Sequence, residues 1–282
     1  MMAIFKIEMK KVFKGKLFWL VIAFAVVLTV LSAVYELQSN KKDFDFFSEF
    51  GYNLMSATFD NTYVNTVYRD SASITPAMFY RFIPLICVLA YGWSYSSDVR
   101  SGYIKSIITR TSKLKYLTSK YFATFISGGL VVLIPILVNI LTLACFMPFR
   151  MPNISESVYY AELPAFAFAN LFYKAPALYM VIILIFHFIL GGLFATFAMA
   201  VSMFTTNKYI VTLFPFVFSF LYSYACSMFL NRLFWGEMDP LYLITGLSNT
   251  YRIFEYLILV YGVFLILTAG TIFFKGMKKD VF

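Results

Sequence analysis

Six runs of about 20 apolar residues divide this chain of 282, near positions 17–35, 78–97, 120–148, 175–203, 209–230 and 254–274. A helix rising 1.5 Å per residue needs roughly 20 residues to cross the ~30 Å hydrocarbon core of a bilayer, so each run is long enough to span. In lipid every backbone N–H and C=O must be bonded within the protein, which makes helix the expected form for runs this apolar. Composition agrees. With 61% hydrophobic and 21% aromatic residues and a mean hydropathy of +0.78, the chain carries more apolar surface than a soluble domain encloses. The expected fold class is an all-α integral membrane protein, one transmembrane domain over 1–282. Pro135 and the Gly191-Gly192 pair are the points where the long third and fourth spans can kink or tilt. The basic start followed by an apolar run resembles a secretory signal, but Leu31 occupies a position where cleavage favours a small residue. The first run therefore reads as an uncleaved anchor.

Charge placement orients the spans. Fifteen basic residues fall on one side, among them Lys6, Lys10, Lys11, Lys14, Arg100, Lys105, Arg110, Lys120, Lys208 and Lys275, against seven on the other. Acidic residues lean the opposite way, with only Glu8, Asp98 and Asp280 on the basic side. The excess of Lys and Arg marks the cytoplasmic face, so both termini are expected in the cytoplasm and the protein in the cell membrane. The net charge of +9 is thereby explained by topology and does not call for nucleic acid. The largest external segment, about 36–77, mixes Phe44, Phe46, Phe50 and Tyr63 with Asp and Asn, and is expected to fold onto the membrane surface. The stretch before the sixth run, "NRLFWGEMDPLYLITGLSNTYRIFEY", is too interrupted to span and reads as a pair of interfacial or partly inserted helices.

Reactive groups are sparse. No GxxxxGK[ST] phosphate loop is present, so nucleotide hydrolysis by the chain itself is not expected, and one histidine, His187, cannot build HExxH or a metal cluster. His187 reads as a polar group satisfied by a neighbouring helix, with a relay role as the rival. Arg81 and Glu255, near the external ends of their spans, read as snorkelling side chains, with pairing across the mouth as the alternative. Cys87, Cys145 and Cys226 lie in apolar runs without CxxC spacing and read as small buried hydrophobes. No cofactor or metal is expected in this chain.

One charged passage remains, "DVRSGYIKSIITRTSKLKYLTSKYFATF". At 100° per residue Tyr103, Ile104, Ile107, Ile108, Thr111 and Leu114 share an arc of about 140°, and Lys105, Ser106, Thr109, Arg110, Ser112 and Lys113 take the other side. Such a helix either lies along lipid or docks an apolar ridge in a protein groove. The N-terminus has a similar design. Met2, Phe5, Met9, Val12 and Phe13 form a stripe beside Lys6, Lys10 and Lys14, turning into the first span at Gly15 as an interfacial helix.

An amphipathic start, a first span, a sizeable external loop, and an acidic residue four before a glycine ("DVRSG") leading into an amphipathic stretch and a third span together resemble the permease subunit of type-2 ABC exporters. The resemblance extends over the whole chain in span count and loop order. It implies a coupling helix at Gly102 to Thr109, including Tyr103, Ile104, Lys105, Ile107 and Ile108, preceded by Asp98 and followed by Lys120 at the head of the third span. Asp98 stands where that family usually has Glu, with a shorter reach. A second contact with the ATPase would fall at Thr205, Asn207 and Lys208. The implied partners are a dimer of ATPase subunits, which would carry the ATP and Mg, and a second permease, identical or paralogous. Ile107→Asp is then expected to uncouple the ATPase while sparing insertion.

The resemblance places the path along spans one, two and five, with Phe214, Phe218 and Tyr222 as candidate lining for an amphipathic peptide, drug or lipid-like cargo. Ordinary packing is the competing reading of these rings. Two rival classes stay open: a membrane-embedded sensor or assembly factor using the basic loop for recruitment, and a stand-alone channel or secondary transporter, for which His187 is the one midplane ionisable group.

Overall fold

The structure, a computed structural model, describes residues 2–49, 61–68, 74–152, 168–243, 245 and 254–278. The described residues are helices joined by turns, with no strand among them. Helix α1 covers Met2–Lys14 and breaks at Gly15, whose N–H still bonds Lys11 O and Val12 O. Helix α2 runs Lys16–Glu49 and α3 Ile74–Cys87, the latter continued by a π turn at Val88–Gly92 and by α4, Ser94–Arg100. Then come α5, Tyr103–Ile108; α6, Lys113–Ala144; α7, Ala169–Lys174; and α8, Pro176–Ser202. Helix α9, Lys208–Ala225, carries a π turn at Cys226–Leu230 and ends in α10, Asn231–Phe234, before α11 at Phe254–Lys278.

Six of these helical stretches are long and apolar enough to cross a membrane: Lys16–Lys42, Ile74–Arg100, Lys113–Ala144, Pro176–Ser202, Lys208–Phe234 and Phe254–Lys278. The chain is thus a multi-pass membrane protein by length and composition. Its centre is the contact of α6 with α8. Two glycine pairs face each other there, and a methyl built on Gly128 would stand 2.4 Å from Gly191 O, and one on Gly191 2.5 Å from Gly128 O. Only hydrogen at both positions lets the backbones touch. The neighbouring glycines take the rings: Phe188 lies over Gly129 and Phe125 over Gly192, with the two rings edge to face at 6.0 Å.

Several sequence expectations change. The helix of the first span, α2, continues past position 36 to Glu49, so the start of the segment at 36–77 extends the helix and is not loop. Residues 50–60 and 69–73, with their part of the expectation, lie outside the described residues. The described piece at 61–68 inserts into one end of the bundle. Thr62 donates from its N–H to Pro148 O and from its hydroxyl to Met147 O, and Val67 N–H reaches Asn139 Oδ1 at 2.9 Å. Polar side chains in the helices bought that insertion, a pattern that hydropathy averages away. Helix α6 starts at Lys113 rather than 120, because Ser112 supplies an extended residue ahead of it. Of the two helices expected before the sixth span, α10 is a four-residue extension of the fifth and 239–243 is a turn; 244 and 246–253 lie outside the described residues. Cys145 is exposed, unlike Cys87 and Cys226.

Candidate functional site

The basic end of the bundle holds a charge network that hydropathy conceals. Lys120, about two turns inside α6, is fully buried. Its Nζ lies 2.7 Å from Glu8 Oε2 of α1 and 2.6 Å from Asp98 Oδ2 of α4. Lys11 bonds Glu8 Oε1 at 2.9 Å, approaches Asp98 Oδ1 at 3.9 Å, and stands 3.7 Å above the Tyr103 ring of α5. Two tyrosines complete the set: Tyr91 donates to Glu8 Oε2 at 2.6 Å and Tyr116 to Asp98 Oδ2 at 2.7 Å. Two carboxylates and two ammonium groups balance, which is the condition under which charge tolerates burial.

Local geometry delivers each group. The π turn at Val88–Gly92 contains Tyr91, and such turns re-aim a side chain that a continuous α-helix would point elsewhere. Gly102, at φ +72°, reverses the chain between α4 and α5 at low steric cost. Asp98 reaches Lys120 despite being one methylene shorter than Glu. Burial alone would raise the Glu8 carboxyl. The Lys120 ammonium, with hydrogen bonds from Tyr91 and Lys11, outweighs that and holds its pKa below the ordinary value. For Lys11 burial works against the charged form, and Glu8 and Asp98 overcome it, so its pKa is raised.

The wheel drawn from the sequence is realised only in part. α5 stops at Ile108, residues 109–112 form a turn in which Thr111 N–H bonds Ile107 O, and Leu114 belongs to α6. The apolar ridge is not free for a partner. Ile104 is buried in the chain's own cluster with Tyr95, Tyr116, Leu117, Met199 and Ile272, and Ile107 and Ile108 pack half-buried against it. The exposed residues are Lys105, Ser106, Thr109 and Arg110. Ile107→Asp would therefore disturb this chain's own packing, so it does not isolate a contact with a partner as the sequence reading supposed.

The turn at Thr205–Lys208 sits beside this end. Arg100 donates to Thr206 O at 2.9 Å, Lys208 lies 4.1 Å over the Trp93 ring, and Asn207 Oδ1 accepts from Tyr209 N–H to cap α9. Asp98, Gly102–Thr109, Lys120 and the 205–208 turn are thus gathered at one end of the molecule. Phe214, Phe218 and Tyr222 lie elsewhere, as a ladder of stacked rings 6.1 Å apart along α9. His187 is satisfied by its neighbours. Its Nδ1–H donates to Ile183 O at 2.7 Å, which fixes Nε2 as the acceptor for Tyr80 O–H at 2.5 Å. Arg81 lies over the Phe220 ring at 5.5 Å and forms no ion pair with the exposed Glu255.

Sequence reasoning missed Glu8, Lys11, Tyr91 and Tyr116. The usable signal was Glu8, the sole acid in a run of N-terminal lysines, three residues before Lys11. Among the described residues no group of His, Cys, Asp and Glu is arranged to hold a metal ion. Comparisons with family models, curated proteins and solved structures return no match for this chain.

Proposed function

We propose that the chain is the transmembrane subunit of an ATP-driven exporter of the type-2 ABC kind, with both termini in the cytoplasm of a cell and α5 as the coupling helix for a separate ATPase. The observation that carries this reading is Lys120 bridging Glu8 and Asp98 directly behind α5. A load on Lys105, Ser106, Thr109 and Arg110 passes through the buried Ile104 and the Tyr103–Lys11 contact into α1, α4 and α6 together. A buried ion network has few alternative arrangements, so displacement is transmitted rather than absorbed. Tilt of spans two and three then changes which side of the bundle is open.

ATP and Mg belong to the ATPase in this reading, and no catalytic group is required of the permease. Span Lys208–Phe234 is the least enclosed by its own chain, with 17% of its apolar window buried, which favours a second permease against it. The N-terminal helix rests at the lipid interface with Lys6, Lys10 and Lys14 exposed to anionic headgroups. The test is co-purification with the ATPase encoded by neighbouring genes, using wild type and a Lys105→Glu, Arg110→Glu double variant. Wild type should bring down an ATPase whose turnover it stimulates, and the double variant should lose both while inserting normally. Insertion with no ATPase recovered from wild type would favour the sensor or assembly-factor reading and sink this one.

A further inference from the structure

Between α8, α9 and α11, apart from the Lys120 network, a crevice of about 170 Å³ opens. Its floor is buried, with Phe194 at 2% exposure and Val260 at 8%, whereas its rim is exposed at Phe218, Leu259, Val263 and Leu267. Leu259 to Leu267 spans about 12 Å of helix, so the slot is elongated along the membrane normal. One wall is different. Met238, Asp239 and Pro240, from the turn that follows α10, line it, and Asp239 is the carboxylate in a lining that is apolar apart from Ser219 and Tyr222.

Asp239 is 2% exposed and fixed in position. Its Oδ1 accepts from Leu241 N–H at 2.9 Å and its Oδ2 from the Ser223 hydroxyl. It forms no ion pair with any Lys or Arg of the described residues. Arg81 acts on it only from a distance, and Glu237 beside it adds negative potential. Burial pushes the Asp239 carboxyl up to about 6, against the lowering by Ser223 and Leu241, the mark of a carboxylate short of solvation. A carboxylate in that state gains most from a cation that arrives already desolvated.

We propose that this crevice is a binding site for cationic amphiphiles, taking an apolar body between Phe218, Val263 and Leu267 and a protonated amine at Asp239. Charge complementarity selects this occupant over a neutral lipid tail, which would leave the carboxylate uncompensated, and over a carboxylate amphiphile, which it would repel. Entry is lateral, between α9 and α11, because the exposed rim lies on the side of the bundle. The site needs neither nucleotide nor ATPase to bind. Its failure and the failure of the exporter reading are therefore separately visible.

The experiment uses the full chain in phosphatidylcholine nanodiscs with a photoreactive diazirine on a dodecylamine, its matched dodecanol as control, and mapping of the labelled peptides. The amine should label the peptides of Leu259–Leu267 and Phe218–Tyr222, be displaced by plain dodecylamine, and exceed the alcohol. Asp239→Asn keeps the acceptor for Leu241 N–H and should lower labelling about tenfold. Val263→Trp, which fills the slot and leaves Asp239 in place, should lower it as well. Equal labelling by the alcohol, indifference to Asp239→Asn, or labelling spread evenly over every lipid-facing helix would each overturn the proposal, the last meaning partition into lipid only.

Discussion

Two pairs of carboxylates are withdrawn from solvent in this molecule, Asp98 only in part, and they are held in opposite ways. Glu8 and Asp98 meet ammonium groups, Lys120 and Lys11, and the Glu8 carboxyl is held more acidic than usual. Glu237 and Asp239, in the turn that folds back to the level of Ser223, accept from backbone N–H groups of that turn: Met238 and Asp239 donate to Glu237, and Leu241 to Asp239. Burial outweighs those bonds and leaves the Asp239 carboxyl less acidic than usual. Identical chemistry thus has contrary signs. In one pair the charged form is a source of stability, and in the other it is a strain that something else can relieve.

The comparison breaks most visibly at Lys120. Lys120→Met leaves Glu8 and Asp98 short of their shared cation and should destabilise by about 3–5 kcal/mol, read as a lower unfolding midpoint in detergent. Adding Glu8→Gln and Asp98→Asn should restore much of it, and a stable single variant would remove the junction from the account. Tyr116→Phe and Tyr91→Phe each delete a bond to a carboxylate and should cost about 1.5–3 kcal/mol in the same assay. Asp239→Asn should go the other way at neutral pH, a gain of about 1 kcal/mol, whereas Glu8→Gln loses stability. Two losses would erase the contrast.

Acid titration sharpens the difference with the smallest effect. The raised Asp239 carboxyl contributes stability that is full below its ordinary value of 3.8 and lost as pH rises through about 6. The depressed Glu8 carboxyl does the reverse, contributing above its ordinary 4.5 and losing it as pH falls through its lower folded value. Stability should therefore rise slightly from pH 7 to 5 and fall below pH 4, and the rise should vanish in Asp239→Asn.

The spans were legible because a lipid solvent imposes one requirement, length of apolar run, that a sequence displays openly; Pro176–Ser202 falls within a residue of its expected limits at each end. The site was half legible. The short helix could be read from periodicity, and Asp98 and Gly102 were named through the family resemblance, but the destination of the Ile104 side chain could not be read, since an apolar ridge looks the same whether it docks in its own bundle or in a partner. Glu8 was hidden by its setting. Among five nearby lysines it reads as topology, and only the fold brings Lys120, 112 positions away, within 2.7 Å.

Where Gly128 of α6 faces Gly191 of α8, no cushion of side chains separates the two backbones. Helices separated by leucines can slip past one another by changing rotamers, but backbones in direct contact have no such lubricant. The third and fourth spans therefore turn as one beam. Phe194 of the crevice wall lies three residues from Gly191, within a turn of that contact, and compliance is left to the π turns at Val88–Gly92 and Cys226–Leu230 in the spans that flank it.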